Sequence, residues 1–184
     1  MARTGDRHGR RHKTPGRIAL WLDDFLPYRA GVAAGEMARV LDPQYQRYGL
    51  SLSEIAVLSV LAEETAVTQQ TIVVRSVMEK FTISRAARAL LGRGLIERSD
   101  HATDGRSHLL SLTAAGRRLY AQIVPMSLRF EARLMCALGG PKELERMKRE
   151  LLRLQRAAKT VAAEQGWRRR APQSLRGGRR AQRQ

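Results

Sequence analysis

The stretch from Lys80 to Gly116 constrains the fold most, because its hydrophobic periodicity changes from helix to strand and back to helix. Ile83, Ala86, Ala87, Leu90 and Leu91 fall at the spacing of one buried helix face, leaving Lys80, Thr82, Ser84, Arg85 and Arg88 for the other side. Gly94 stands where a left-handed residue would end the helix. Leu95 to Arg98 reads as a strand and Leu109 to Leu112 as its partner, joined by a polar segment that contains the turn signal Asp104-Gly105.

A helix with a basic, hydroxyl-bearing face, followed at once by a hairpin with an arginine at its tip, predicts a winged helix-turn-helix. The fold class expected is mainly α with a small β-hairpin wing, flanked by N- and C-terminal dimerisation helices. Upstream, Ile18 to Phe25 is expected as a short lead-in helix. A second helix should start around Pro27, which suits a first turn, and run to about Leu41, where Asp42-Pro43 breaks or restarts it. Ser51-Leu52-Ser53-Glu54 is a capping box opening a helix to about Glu63. Thr68 is the next candidate cap, with a short helix from Gln69 to Ser76 and a turn at Val77 to Glu79. Two short helices joined this way have the helix-turn-helix geometry.

After the hairpin, Thr113 should cap a long helix from Ala114 to about Leu138, kinked by Pro125. Gly139-Gly140-Pro141 stops it and starts another. That last helix, to about Glu164, places Leu144, Met147, Leu151, Leu154, Ala158 and Val161 at a/d heptad spacing. Such a stripe can be a dimer seam or the inner face of a helix packed within its own domain. The seam is favoured, because two long helices flank a domain too small to bury both.

Of the 184 residues, 34 are Lys or Arg against 17 Asp or Glu, a formal charge of +17. The ends carry most of the excess. Residues 1–17 hold six bases and one acid, and residues 167–184 hold seven arginines and no acid. Both are expected to be disordered arms, basic at the start and Arg-rich at the end, around a folded region at about residues 18–166. Within that region the DNA-binding part spans about 51–113, and the dimerisation helices about 18–48 and 113–165. Such tails attract any polyanion and carry no sequence information themselves.

The sequence also argues against several classes. A single cysteine, Cys136, rules out an internal disulfide framework, and it is expected to be a small buried hydrophobe rather than a redox sensor. No apolar run approaches the roughly 18 residues of a membrane span, and the N-terminus lacks the apolar core of a secretory signal. No membrane partner is expected, and the localisation expected is cytoplasmic, with the nucleoid. Aromatic content of 5% gives no evident stacking platform for single strands. No nucleophile–base pattern, Gly-rich phosphate loop or paired-carboxylate motif stands out, so the chain is not expected to be an enzyme. His101 and His108, with Asp100 and Asp104, do not have a recognised ligand spacing. No metal or other cofactor is expected.

The candidate DNA contacts are Lys80, Thr82, Ser84, Arg85 and Arg88 on the basic helix. Thr68 and Gln69 join them at the start of the preceding helix, with Arg98 on the hairpin and Arg106 at its tip. Hydroxyls and amides at a helix N-terminus suit phosphates, and arginine can take guanine in two bonds. An arginine at a wing tip can enter a narrow minor groove. The candidate dimerisation residues are Leu144, Met147, Leu151 and Leu154.

These residues, in this order, resemble the MarR family of bacterial transcriptional regulators over about residues 25–163. Four pieces carry the resemblance. Gly49 to Leu58 resembles the family's entry to its second helix, with Ile55 where a tryptophan is frequent. Met78 to Ala86 resembles its recognition helix, with Glu79 where aspartate is frequent and a bulky Phe81. Gly94 to Arg98 resembles the strand that follows. Asp104-Gly105-Arg106 and Leu112 to Gly116 resemble the wing and the start of the dimer helix. The resemblance implies a homodimer whose winged helices reach successive major grooves at a pseudo-palindrome, as repressor or activator. It also implies release by a small aromatic or anionic effector lodged between the dimer helices and the winged helix, near Tyr28, Tyr45, Tyr48 or Tyr120; these tyrosines can equally be core or rim residues, and the ligand-binding residues are unknown.

Two functions therefore stand open. One is a sequence-specific regulator, more simply a repressor, on double-stranded DNA. The alternative is a nonspecific nucleoid- or RNA-associated protein driven by its basic arms. Deleting residues 1–17 and 167–184 should lower affinity for specific and random duplexes alike and flatten the salt dependence of both, as read by fluorescence anisotropy. A selective loss on the specific duplex would show that the arms read sequence.

Overall fold

The computed structural model describes residues 20–100 and 108–164. Among these, no helix is long and apolar enough to cross a membrane. Contacts divide the fold into two compact units, one ending at Ala121 and the other starting at Gln122.

The first unit begins with a single 3-10 turn, Leu22–Asp24, where a longer lead-in helix was expected. Phe25 is extended (φ −91°, ψ 107°) as the cap of the next helix, so too few residues remain ahead of it to sustain helical turns alone. Helix α1, Leu26–Gln46, accepts Pro27 in its first turn, as expected. It does not stop at Asp42 but passes through Pro43. The missing amide bond is outweighed locally: Tyr45, beyond the proline, is buried, and the Gln46 amide donates to the Asp42 carboxylate across it (2.6 Å).

Helix α2, Leu52–Glu63, has the expected capping box, with the Glu54 amide donating to Ser51 Oγ (3.3 Å) and the Ser51 amide donating to the Glu54 carboxylate (2.8 Å). It buries Ile55, Val57, Leu58, Val60 and Leu61. Strand β1, Val67–Thr68, leads into α3, Gln69–Ser76, and Thr68 Oγ1 accepts from the Thr71 amide (3.2 Å) as the cap. The turn into α4 is made by Val77 in the left-handed region (φ 56°), a strained conformation for a β-branched residue.

Helix α4, Lys80–Gly92, buries Ile83, Ala86, Ala87 and Leu90, as the periodicity predicts, whereas Leu91, expected on the same face, lies at its margin and is only half-buried. Gly94, at φ 63°, ends it in the conformation expected. Strand β2, Ile96–Asp100, begins one residue later and reaches two residues further than expected. Strand β3, His108–Leu112, completes the hairpin, with Ile96 opposite Leu112 and Asp100 opposite His108. The sheet order is β1-β3-β2, all antiparallel, with Val67 and Thr68 paired to Leu110 and Leu109. Leu58, Ile72, Ile83, Leu90 and Ile96 are fully buried, so α2, α3, α4 and β2 share one core. Each such side chain contributes about 1.5–3 kcal/mol.

Helix α5, Ala114–Leu138, opens with Thr113 Oγ1 accepting from the Gly116 amide (3.0 Å), as expected of a cap. Pro125 lies inside it. The second unit comprises the rest of α5 and α6, Pro141–Glu164, joined at Gly139 and Gly140 (φ 99° and 112°). Lys148 of α6 pairs with Glu131 of α5 (2.9 Å) and with Glu145 (3.4 Å). The hydrogen bond to the Glu131 carboxylate raises its pKa above the usual lysine value. Cys136 is exposed rather than buried: its neighbours Met135 and Leu138 are themselves only half-buried, so this end of α5 offers no closed core for it to enter.

The tightest backbone approach lies where α5 begins. A Cβ on Gly116 would stand 1.9 Å from the Leu95 carbonyl oxygen. Gly116→Ala must therefore push α5 and the chain before β2 apart, and should cost about 3 kcal/mol. Urea denaturation would show it; a variant as stable as the parent would mean the approach is not this close.

Candidate nucleic-acid interface

Elements α3, α4 and the hairpin converge on a groove of about 480 Å³ in the first unit. Thr68, Gln69, Lys80, Ser84, Arg88 and Arg98, candidates spread over 31 sequence positions, all line it. Helix geometry brings Lys80, Ser84 and Arg88 there together, because residues four apart share a face. The strand register adds Arg98, which lies opposite Leu110, another lining residue. Thr82 and Arg85 belong to α4 but not to the groove lining; Thr82 is half-buried and Arg85 exposed. Arg106, His101 and Asp104 lie outside the described residues, as do both arms.

The sequence reading missed Gln70, Val73 and His108 as lining residues. His108 was legible in principle. Two residues from Leu110 on the same strand, it shares that residue's face, and its Nδ1 lies 3.2 Å from the Asp100 carboxylate across the hairpin. The groove lining contains Lys80, Arg88 and Arg98 and no carboxylate. The α3 N-terminus at Gln69 adds the partial positive charge of its amides. The whole therefore favours an anion.

Two clasps hold the helices that present these groups. Arg75, near the end of α3, bonds the carboxylates of Glu63 and Glu64 at the end of α2. The hydrogen bond to Glu64, then that to Glu63, raises the Arg75 pKa above its ordinary value, so its guanidinium stays charged at any ordinary pH. At the other end of α4, Arg93 donates to the Gly49 carbonyl (2.6 Å) and lies 3.8 Å from the Glu54 carboxylate of the α2 capping box. The basic helix is thus tied to the turn that starts α2.

A short helix pair with an anion-favouring face, backed by a three-stranded sheet with a hairpin, defines a winged helix-turn-helix protein. Residues 48–107 match the sequence pattern of the MarR family. An uncharacterised HTH-type transcriptional regulator of Mycobacterium leprae is 30% identical over 88 residues, 48% of this chain and 62% of that protein. The chain spans 49–62% of the length of the curated relatives it matches. The structure of a MarR family regulator from Neisseria meningitidis aligns with a TM-score of 0.61 at 28% identity, over 74% of this chain and 96% of that one. The Mycobacterium tuberculosis regulator MosR, solved in complex with DNA, shares the fold with a TM-score of 0.64 at 23% identity, over 75% and 98% of the two chains. Residues 48–107 are thus MarR-like in sequence, and the fold is one that MarR family regulators share. These relatives are transcriptional regulators, not enzymes.

Thr68 both lines the groove and caps α3, and the two roles can be separated. Thr68→Val removes the acceptor for the Thr71 amide while keeping the shape, and should cost about 1 kcal/mol of stability. Thermal denaturation checks this; an unchanged midpoint would leave Thr68 no part in starting α3.

Proposed function

We propose that this protein is a sequence-specific, double-stranded-DNA-binding transcriptional regulator that acts as a homodimer on a pseudo-palindromic operator, as a repressor. The observation that carries the reading is the convergence of Lys80, Arg88 and Arg98 on one carboxylate-free groove beside the α3 N-terminus. In this reading α4 enters the major groove, and Thr68 and Gln69 hold a backbone phosphate. Arg98 and Arg106 take the flanking backbone and minor groove. That a protein of this fold, MosR, has been solved in complex with DNA supports DNA as the ligand.

The dimer reading is supported by α6. Met147 (44%), Leu151 (51%) and Val161 (47%) are exposed in the single chain, with Leu152 (45%) bare beside them, while Leu144 and Leu154 are half-buried along the same stripe. Burying such a seam against a second copy is the ordinary solution for a heptad helix. A small aromatic or anionic effector would act on the dimer; of the tyrosines considered for it, Tyr45 is buried and the others are at least partly accessible. The working compartment is the cytoplasm, at the nucleoid.

Selection of duplexes from a random library with the full-length protein tests this reading. The expected result is one enriched pseudo-palindrome, bound far more tightly than random DNA at moderate salt. Arg88→Ala should weaken that binding by about 1–3 kcal/mol without altering thermal stability. Binding that collapses with salt equally on every sequence would instead assign the chain the nonspecific, arm-driven role.

A further inference from the structure

Phe81 is 77% exposed, an unusual state for a phenylalanine in a helix with a well-made core. It occupies the second position of α4, and the buried face of that helix is already filled by Ile83, Ala86, Ala87 and Leu90. Phe81 instead shares its side with Arg85 and Arg88, four and seven residues further along, both exposed. Two more apolar side chains are bare in the same short stretch, Val74 (66%) and Val77 (75%). Val77 holds the strained left-handed turn, so neither packing nor backbone comfort accounts for a β-branched side chain there.

An occupant of this surface must satisfy two demands at once. It must be strongly anionic, because Lys80, Arg85 and Arg88 accompany the phenyl ring on the same helix. It must also offer an apolar group at the helix N-terminus. A second copy of this helix fails the first demand, since its own cations would face these. The major groove of duplex DNA meets both, because among base-edge groups the thymine C5 methyl is the apolar one.

We propose that Phe81 is a specificity-determining residue that reads thymine through its C5 methyl group, with Val77 at the edge of the contact. This rests on the DNA-reading function proposed above. It adds an apolar reader at the start of α4 to the polar set that lines the groove. Specificity at that base step then comes from one methyl group, and a cytosine or purine in its place presents a polar edge to the ring.

Thymine and deoxyuridine differ by that methyl alone, so a substitution scan isolates it. The probe is the duplex selected by the full-length protein, with each thymine replaced in turn by deoxyuridine. Wild-type protein should lose about fourfold in affinity at one or more positions, the effect of withdrawing one buried methyl. Phe81→Ala should bind wild-type and substituted duplexes alike at those positions, while Phe81→Leu, still apolar, should keep part of the preference. An exposed site leaves both variants folded, which circular dichroism verifies. The proposal is overturned if wild-type is indifferent to every replacement, if Phe81→Ala keeps the full methyl preference, or if the selected site requires no thymine. A change in oligomeric state of Phe81→Ala, with methyl preference intact, would assign the patch to protein contact and overturn it too. Failure to enrich any duplex is a separate result that removes the regulator reading itself, and this inference with it.

Discussion

The peptide groups of Leu95 hold the first unit together. Its amide donates to the Leu90 carbonyl (3.0 Å), closing the end of α4. Its carbonyl accepts from the Thr113 amide (3.1 Å) and from Thr113 Oγ1 (3.1 Å), fixing the start of α5. Gly116 then passes so close that a side chain there has no room. One residue between helix and hairpin thus joins the basic helix, the strand after it and the first turn of the long helix. Arg117 reinforces the junction by donating to the Leu112 carbonyl (2.7 Å). With donor and acceptor both committed, the base of the hairpin has little freedom relative to α4.

That rigidity gives the groove its chemistry. Lys80 and Arg88 come from a helix, Arg98 from a strand and Thr68 from the strand-to-helix cap before α3. Lys80 and Arg88 are two turns apart on α4 and the others lie ten or more residues away in sequence, so the groove exists only because the junction sets the hairpin against α4. The arginine clasps at Glu63, Glu64 and Gly49 complete the frame from the far side of α3 and α4. Cations placed this way, with no carboxylate in the lining, give the groove a standing attraction for an anion.

Much of this was legible in the residues, because local signals and tertiary packing agree. The Ser51–Glu54 box, the Thr68 and Thr113 caps, the Gly94 stop and the buried face of α4 stand where pattern and capping chemistry put them. The failures have physical causes. Strand β1 is two residues long, too short to show alternation. Pro43 did not break α1, because burial of Tyr45 is invisible to a propensity argument. The lead-in helix reduced to a 3-10 turn since apolar content alone cannot sustain so short a segment. In the site, the basic residues were readable one by one, but their meeting in one groove, and the place of His108 within it, depend on strand register. The buried face of α4 leaves out Phe81 in the sequence as in the structure, but how far the ring stands free is seen only once that face is packed.

The exposed position of Cys136 gives the chain a natural point of attachment. It is the one thiol in 184 residues, and it lies on α5 in the second unit, whereas the groove lies wholly in the first. A maleimide fluorophore or spin label placed there needs no engineered cysteine and modifies none of the groups that line the groove. The native sequence therefore supplies a spectroscopic reporter in one unit for events that begin in the other.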